Sequence, residues 1–107
     1  MADYDLYGFR SNNLREVARR LEDSFGLTFV PHESLFRGGE YYAYGLPGEE
    51  EFILQCNREL DDELAEPSFP EYPILLYVGA TERSDTIRQM VAAAMGGEAC
   101  LLWHKSL

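Results

Sequence analysis

The chain has 107 residues, 46% of them hydrophobic and 13% aromatic. That length and composition suit one domain with its own core and exclude global disorder. Nine basic residues against 19 acidic ones leave a net charge of −10, which excludes simple attraction to phosphate backbones or to anionic membrane surfaces.

The start, Met1-Ala2-Asp3-Tyr4-Asp5, has neither the basic residues nor the apolar run of a secretory signal. The longest stretch without a charged side chain, Tyr72 to Thr81, is ten residues, about half of a membrane-spanning helix. A cytosolic protein is expected. Cys56 and Cys100 are too few for a disulfide framework. Each lies in an apolar stretch and is expected as a small buried thiol.

Tyr4 to Phe9 reads as a strand rich in aromatics. Asn12 or Asn13 can then cap a helix, with Glu16 placed as in a capping box. Leu14, Val17, Ala18, Leu21 and Phe25 form one apolar stripe at helical spacing, and Gly26 stops it. Leu27 to Val30 reads as a second strand limited by Pro31, and His32 to Gly39 as a loop. Glu40 to Tyr44 is the third strand, Leu46-Pro47-Gly48 a turn, and Glu51 to Asn57 the fourth strand. In that strand Phe52, Leu54 and Cys56 alternate with Ile53 and Gln55.

Residues 58–73 hold three prolines and many acids and read as a long loop, with one helical turn near Leu60 to Ala65. An insert of that size in a small domain is often functional. Ile74 to Gly79 is the most apolar run and reads as the central strand. Ser84 is expected to cap a second helix with the stripe Ile87, Met90, Val91 and Ala94, closed by Gly96-Gly97. Ala99 to His104 is the last strand. Two helices with one apolar stripe each can cover one face of one sheet. The expected fold is α+β: a single two-layer domain over residues 1–107, with about six strands in one mostly antiparallel sheet and both helices on one face.

The negative charge is concentrated. Residues 49–71 hold nine acids (Glu49, Glu50, Glu51, Glu59, Asp61, Asp62, Glu63, Glu66 and Glu71) and one base, Arg58. Eight of the ten net charges therefore sit in 23 residues. Such crowding opposes folding by self-repulsion unless the acids spread apart in space or meet a cationic partner. Tyr41, Tyr42 and Tyr44 precede the acids and Tyr72 follows them. Tyrosine is a common interface anchor, although strand alternation alone would put one of Tyr41 and Tyr42 toward the core. The expected binding set is those nine acids with Tyr41, Tyr42 and Tyr44.

No enzymatic constellation emerges. The acids at 49–51 and 61–63 are contiguous runs, not an EF-hand spacing. Cys100 and His104 share a strand face but lie about 13 Å apart along it, outside hydrogen-bond reach. There is no G-x-S-x-G elbow, phosphate loop or HExxH. No catalytic residue, metal or cofactor is expected.

The segments LYGFRSNNL, HESLFRGGEYYAYG, EEFILQCN, the acidic loop and ILLYVGATERSD resemble immunity proteins of bacterial contact-dependent growth inhibition and related polymorphic toxin systems. The likeness covers roughly residues 4 to 90, in texture and segment order. It implies a small cytosolic inhibitor that binds the C-terminal domain of a toxin delivered by a sibling cell and occludes its active site. Many such toxins are basic nucleases, tRNases among them, so the implied partner is a protein, not nucleic acid or membrane. The resemblance implies no catalytic residue. A different reading of the same acids is a small metal-dependent hydrolase or ligand-binding domain built on residues 49–71. A further mode of association is strand addition along Glu40 to Tyr44.

Overall fold

The computed structural model describes residues 2–46 and 48–107. The elements in order are β1 (Asp3–Phe9), α1 (Leu14–Phe25), β2 (Val30–Ser34), β3 (Gly39–Tyr44), β4 (Glu51–Cys56), β5 (Ile74–Thr81), α2 (Ser84–Met95) and β6 (Ala99–Ser106). Short 3-10 turns cover Leu35–Arg37, Leu60–Asp62 and Gly96–Glu98. The six strands form one sheet in the order β2-β3-β4-β5-β1-β6, with every neighbouring pair antiparallel. The fold is the expected two-layer α+β arrangement.

Helix α1 begins where Asn13 accepts the Glu16 backbone N–H on its side-chain oxygen. It ends at Gly26, whose φ of 69° lets its N–H reach back to the Glu22 carbonyl. The stripe Leu14, Val17, Ala18 and Leu21 is buried, as is Ile87, Val91, Ala94 and Met95 of α2. Both stripes pack on Tyr7 and Phe9 of β1, Phe52 and Leu54 of β4, and Ile74, Leu76 and Val78 of β5. Each fully buried Leu, Ile or Phe in that layer contributes about 1.5–3 kcal/mol by removal from water.

Ser84 does not cap α2. It is the first helical residue, after Arg83 at the cap position. Its hydroxyl instead donates to the carboxylate of Asp5 at 2.8 Å. Asp5 is 1% exposed and pairs on its other oxygen with Nδ1 of His104, its cross-strand neighbour on β6. A buried carboxylate needs such partners, and this one ties β1, α2 and β6 together.

The first stretch past α1 departs from expectation. The second strand is Val30–Ser34, so it runs through Pro31 and takes in part of the segment expected as a loop. β2 is an edge strand, where proline's missing N–H leaves no ladder bond broken. Strand β3 is paired on both sides, with β2 and with β4. Glu40 to Tyr44 is therefore no sheet edge, and strand addition there is closed off. The Leu46-Pro47-Gly48 turn falls partly on Pro47, outside the described residues. Neither cysteine is the fully buried thiol expected: Cys56 is half-buried and Cys100 is exposed.

Segment 57–73 is not an open loop. It lies across the face of the sheet away from the helices, where Tyr72 packs with Leu6 and Leu75, and Ala65, Phe69, Tyr77 and Trp103 join them. Gly8 makes room for it, since a Cβ there would sit 2.6 Å from the Tyr72 ring.

Candidate partner-binding surface

Asn57 organises the acidic segment. It follows the last residue of β4 and is 2% exposed. Its backbone N–H donates to the Pro73 carbonyl at 2.8 Å, which clamps the two ends of the segment. Its side-chain Nδ2 donates to the carbonyls of Phe69 and Tyr72, both at 3.0 Å. Its Oδ1 accepts the Glu66 N–H at 2.8 Å. A short polar side chain thus satisfies backbone groups that a sheet or helix would otherwise pair.

The acids do not converge. Glu49, Glu50 and Glu51 lie at the start of β4, and Glu59, Asp61, Asp62 and Glu63 beyond its far end. The six-residue strand β4 carries the chain from one group to the other, about 20 Å. At the first end only Glu49 is exposed and unpaired among the described residues. Glu51 is half-buried, and Glu50 binds the Arg83 guanidinium at 2.6 Å and the Thr81 hydroxyl at 2.7 Å. The Arg83 hydrogen bond, then that of Thr81, holds the Glu50 carboxyl below the ordinary 4.5. Glu66 faces the sheet and accepts from the Tyr77 hydroxyl at 2.6 Å. Burial first, and then Glu66, push the Tyr77 phenol well above its ordinary range. Glu71 is exposed next to Tyr72.

Glu59, Asp61, Asp62 and Glu63 are exposed, and none takes part in an ion pair among the described residues. Their backbone is fixed. The Glu59 N–H donates to the Glu63 carbonyl at 2.8 Å, and Arg58 Nη1 donates to the Asp62 carbonyl at 3.2 Å. Asp61 and Asp62 stand at φ of 65° and 61°, a left-handed pair that costs roughly 1 kcal/mol or more per residue.

The tyrosines divide between faces. Tyr41, half-buried on the side away from the helices, stacks on His32 at 5.2 Å and lies under the Arg37 guanidinium. Tyr42 turns to the helix side, where its hydroxyl donates to Glu40 at 2.6 Å. Tyr44 is more exposed and stacks on Phe52. None of the three borders the Glu59–Glu63 cluster. The side chains that do are Leu35 and Phe36, each 73% exposed, on the 3-10 turn that was expected to be plain loop. Leu35 lines one cleft with Glu59, Asp61 and Asp62. Phe36 and Glu59 line a groove of about 440 Å³ together with Arg37, Ile53, Gln55, Ala65 and Tyr77. Two adjacent apolar residues flanked by Arg and Gly-Gly were the available signal, but exposure depends on which turns the sheet brings together.

Among the described residues no three His, Cys, Asp or Glu side chains converge on one point. A chain of contacts runs from Asp5 through His104 to Ser106. Nothing local in the sequence signals it, because Asp5 and His104 are 99 positions apart. Its order mimics a carboxylate–imidazole–hydroxyl relay. Ser106 Oγ, however, donates to Asp3 at 2.7 Å and lies 3.3 Å from His104 Nε2, so the relay ends on a second carboxylate and not on a free nucleophile. Among the described residues no helix is long and apolar enough to cross a membrane. In comparison with known proteins, no protein-family model and no curated protein matches the chain.

Proposed function

We propose that this chain is an inhibitory binding protein of the immunity type. In the bacterial cytoplasm it binds the C-terminal domain of a toxin delivered by neighbouring cells and occludes that domain's active site. The toxin domain is a basic nuclease, such as one acting on tRNA. The observation that carries this reading is the set of free carboxylates at Glu59, Asp61, Asp62 and Glu63, held on a loop that Asn57 anchors. Clustered like charge is a standing cost to the free protein. A cationic surface relieves it, and the resulting field speeds encounter and orients the partner. Occlusion asks for nothing more than tight coverage, so no catalytic group is required of the inhibitor. The resemblance in segments LYGFRSNNL to ILLYVGATERSD supports the same reading.

The test is co-expression with the toxin C-terminal domain encoded beside this chain. Cells expressing the toxin domain alone should stop growing. Cells that also make this chain should grow, and the two proteins should co-purify as a complex. Growth arrest in its presence, with no complex at low salt, refutes the proposal.

A further inference from the structure

We infer that a second copy of this chain docks along β6, strand to strand and antiparallel, so that two sheets join into one across a twofold axis near Leu102 and Trp103. The inference goes beyond the inhibitor function and does not depend on it.

The sheet has two edges, β2 and β6. Every second residue of an edge strand turns its N–H and C=O outward, where they need water or another strand. The two edges are guarded unequally. β2 is five residues long, contains Pro31, which has no N–H to offer, and exposes Val30 to Glu33. β6 is eight residues long and holds no proline. Among the described residues it pairs only with β1. Its middle is Leu101-Leu102-Trp103, three consecutive apolar residues, all half-buried.

A bulge shapes that middle. Leu6 faces Trp103 and Tyr7 faces Leu101, so Leu102 is the extra residue. Leu102 and Trp103 in consequence both join the cluster of Leu6, Tyr72 and Leu75 on the face away from the helices, while Leu101 packs with the helix-side core. Each apolar layer therefore reaches this edge with side chains that are only partly covered. A strand continuing the sheet past β6 would pair the outward backbone groups and cover both layers at once.

The charge at this edge fits a second copy. β6 carries no acid and one lysine, so it draws neither a strongly basic nor a strongly acidic partner. An antiparallel copy sets the apolar middle of the strand against itself and brings Lys105 of one strand toward the Glu98 end of the other, where Glu98 already holds Arg20 at 3.3 Å. The net charge of −10 opposes association of two copies, but least across β6. The Glu49–Glu51 and Glu59–Glu63 acids flank β4, three strand spacings from β6 in each copy. With one further spacing across the join, the two acidic sets stand about 30 Å apart, against a screening length of about 8 Å.

Sedimentation of the isolated chain tests this, in reducing buffer so that the exposed Cys100 forms no crosslink. The chain should pass from monomer to dimer between about 1 and 300 µM. Hydrogen exchange at the two ends of that range locates the join: β6 amides should slow at least about fivefold in the dimer, and β2 amides should not change. Leu102→Lys sets two cations at the axis and should raise the dimer Kd about tenfold or more. Val30→Lys, on the other edge, should leave it within about twofold. A chain that stays monomeric to about 300 µM overturns the inference. So does a dimer whose β6 amides exchange as they do in the monomer, or one that Val30→Lys weakens and Leu102→Lys does not. Should circular dichroism show Leu102→Lys unfolded, the wild-type exchange pattern decides alone.

Discussion

Replacing Asn57 by alanine tests whether the acidic segment is a built surface or a loose solvated loop. In the folded chain the Asn57 side chain is 2% exposed and makes three hydrogen bonds to backbone groups, at 3.0, 3.0 and 2.8 Å. Alanine removes all three and leaves two carbonyls and one N–H without that partner. At about 1 kcal/mol net for each bond, and somewhat more where the orphaned group stays buried, the loss is about 3 kcal/mol. A domain of this size has roughly 5–15 kcal/mol in total, so the variant stays folded and the loss is measurable. Urea unfolding followed by tryptophan fluorescence reads it, since Trp103 packs against the cluster that the segment covers. The urea midpoint should fall by more than about one molar for a slope of about 2 kcal/mol/M. Asn57→Asp should cost still more, because it keeps the acceptor for Glu66 but turns a carboxylate toward two carbonyl oxygens. A loss below about 1 kcal/mol in the alanine variant, or an aspartate variant as stable as wild type, would refute the anchoring role.

Two other substitutions give independent checks. Glu50 has its carboxyl value lowered by Arg83 and Thr81, so its contribution is complete above the ordinary 4.5 and is lost as pH falls through the folded value. Glu50→Gln should therefore cost about 1 kcal/mol near neutral pH, and the two stability curves should converge in acid; a constant gap across the titration would contradict the assignment. The Tyr7 hydroxyl is buried under the helices without a well-formed hydrogen bond among the described residues, with the Arg88 guanidinium as its nearby polar group, so Tyr7→Phe should raise stability by about 1 kcal/mol, and an equal loss in thermal or urea unfolding would mean that Arg88 serves as its partner.

The parts of the fold that were legible in the sequence are those where one local rule decides. The α1 stripe, with Asn13 and Gly26 at its ends, needed only helical periodicity and cap chemistry. The apolar run at Ile74 needed only its own composition. What could not be read depended on neighbours distant in the chain. Pro31 looked like a strand terminator because a proline breaks a central ladder, yet β2 is an edge, and edge position is a property of the whole sheet. Ser84 looked like a cap because the rule is local, yet a buried carboxylate on β1 claimed its hydroxyl. At the candidate site the count of charges was correct, but their grouping was not. Sequence proximity placed Glu50 and Glu51 with Asp61 and Asp62, while β4 carries the chain from one end of the sheet to the other between them. Asn57 read as an ordinary strand residue, because nothing local marks a side chain that will hold Phe69, Tyr72 and Glu66 at once.

That separation also explains how so small a fold tolerates so much charge. About 20 Å of strand lies between the two acidic ends, and charges at that distance in physiological salt, where the screening length is about 8 Å, scarcely interact. Within the Glu49–Glu51 end, Arg83 removes part of the repulsion. Within the Glu59–Glu63 end the one base, Arg58, is held on the Asp62 backbone carbonyl and forms no ion pair among the described residues, and the chain holds two consecutive aspartates in left-handed backbone there. The fold thus pairs one acid at the first end and leaves those of the second without an ion pair among the described residues. The separation also means that a basic partner of ordinary interface width engages one acidic end at a time, so the net charge of −10 overstates the attraction that any single docking event can use.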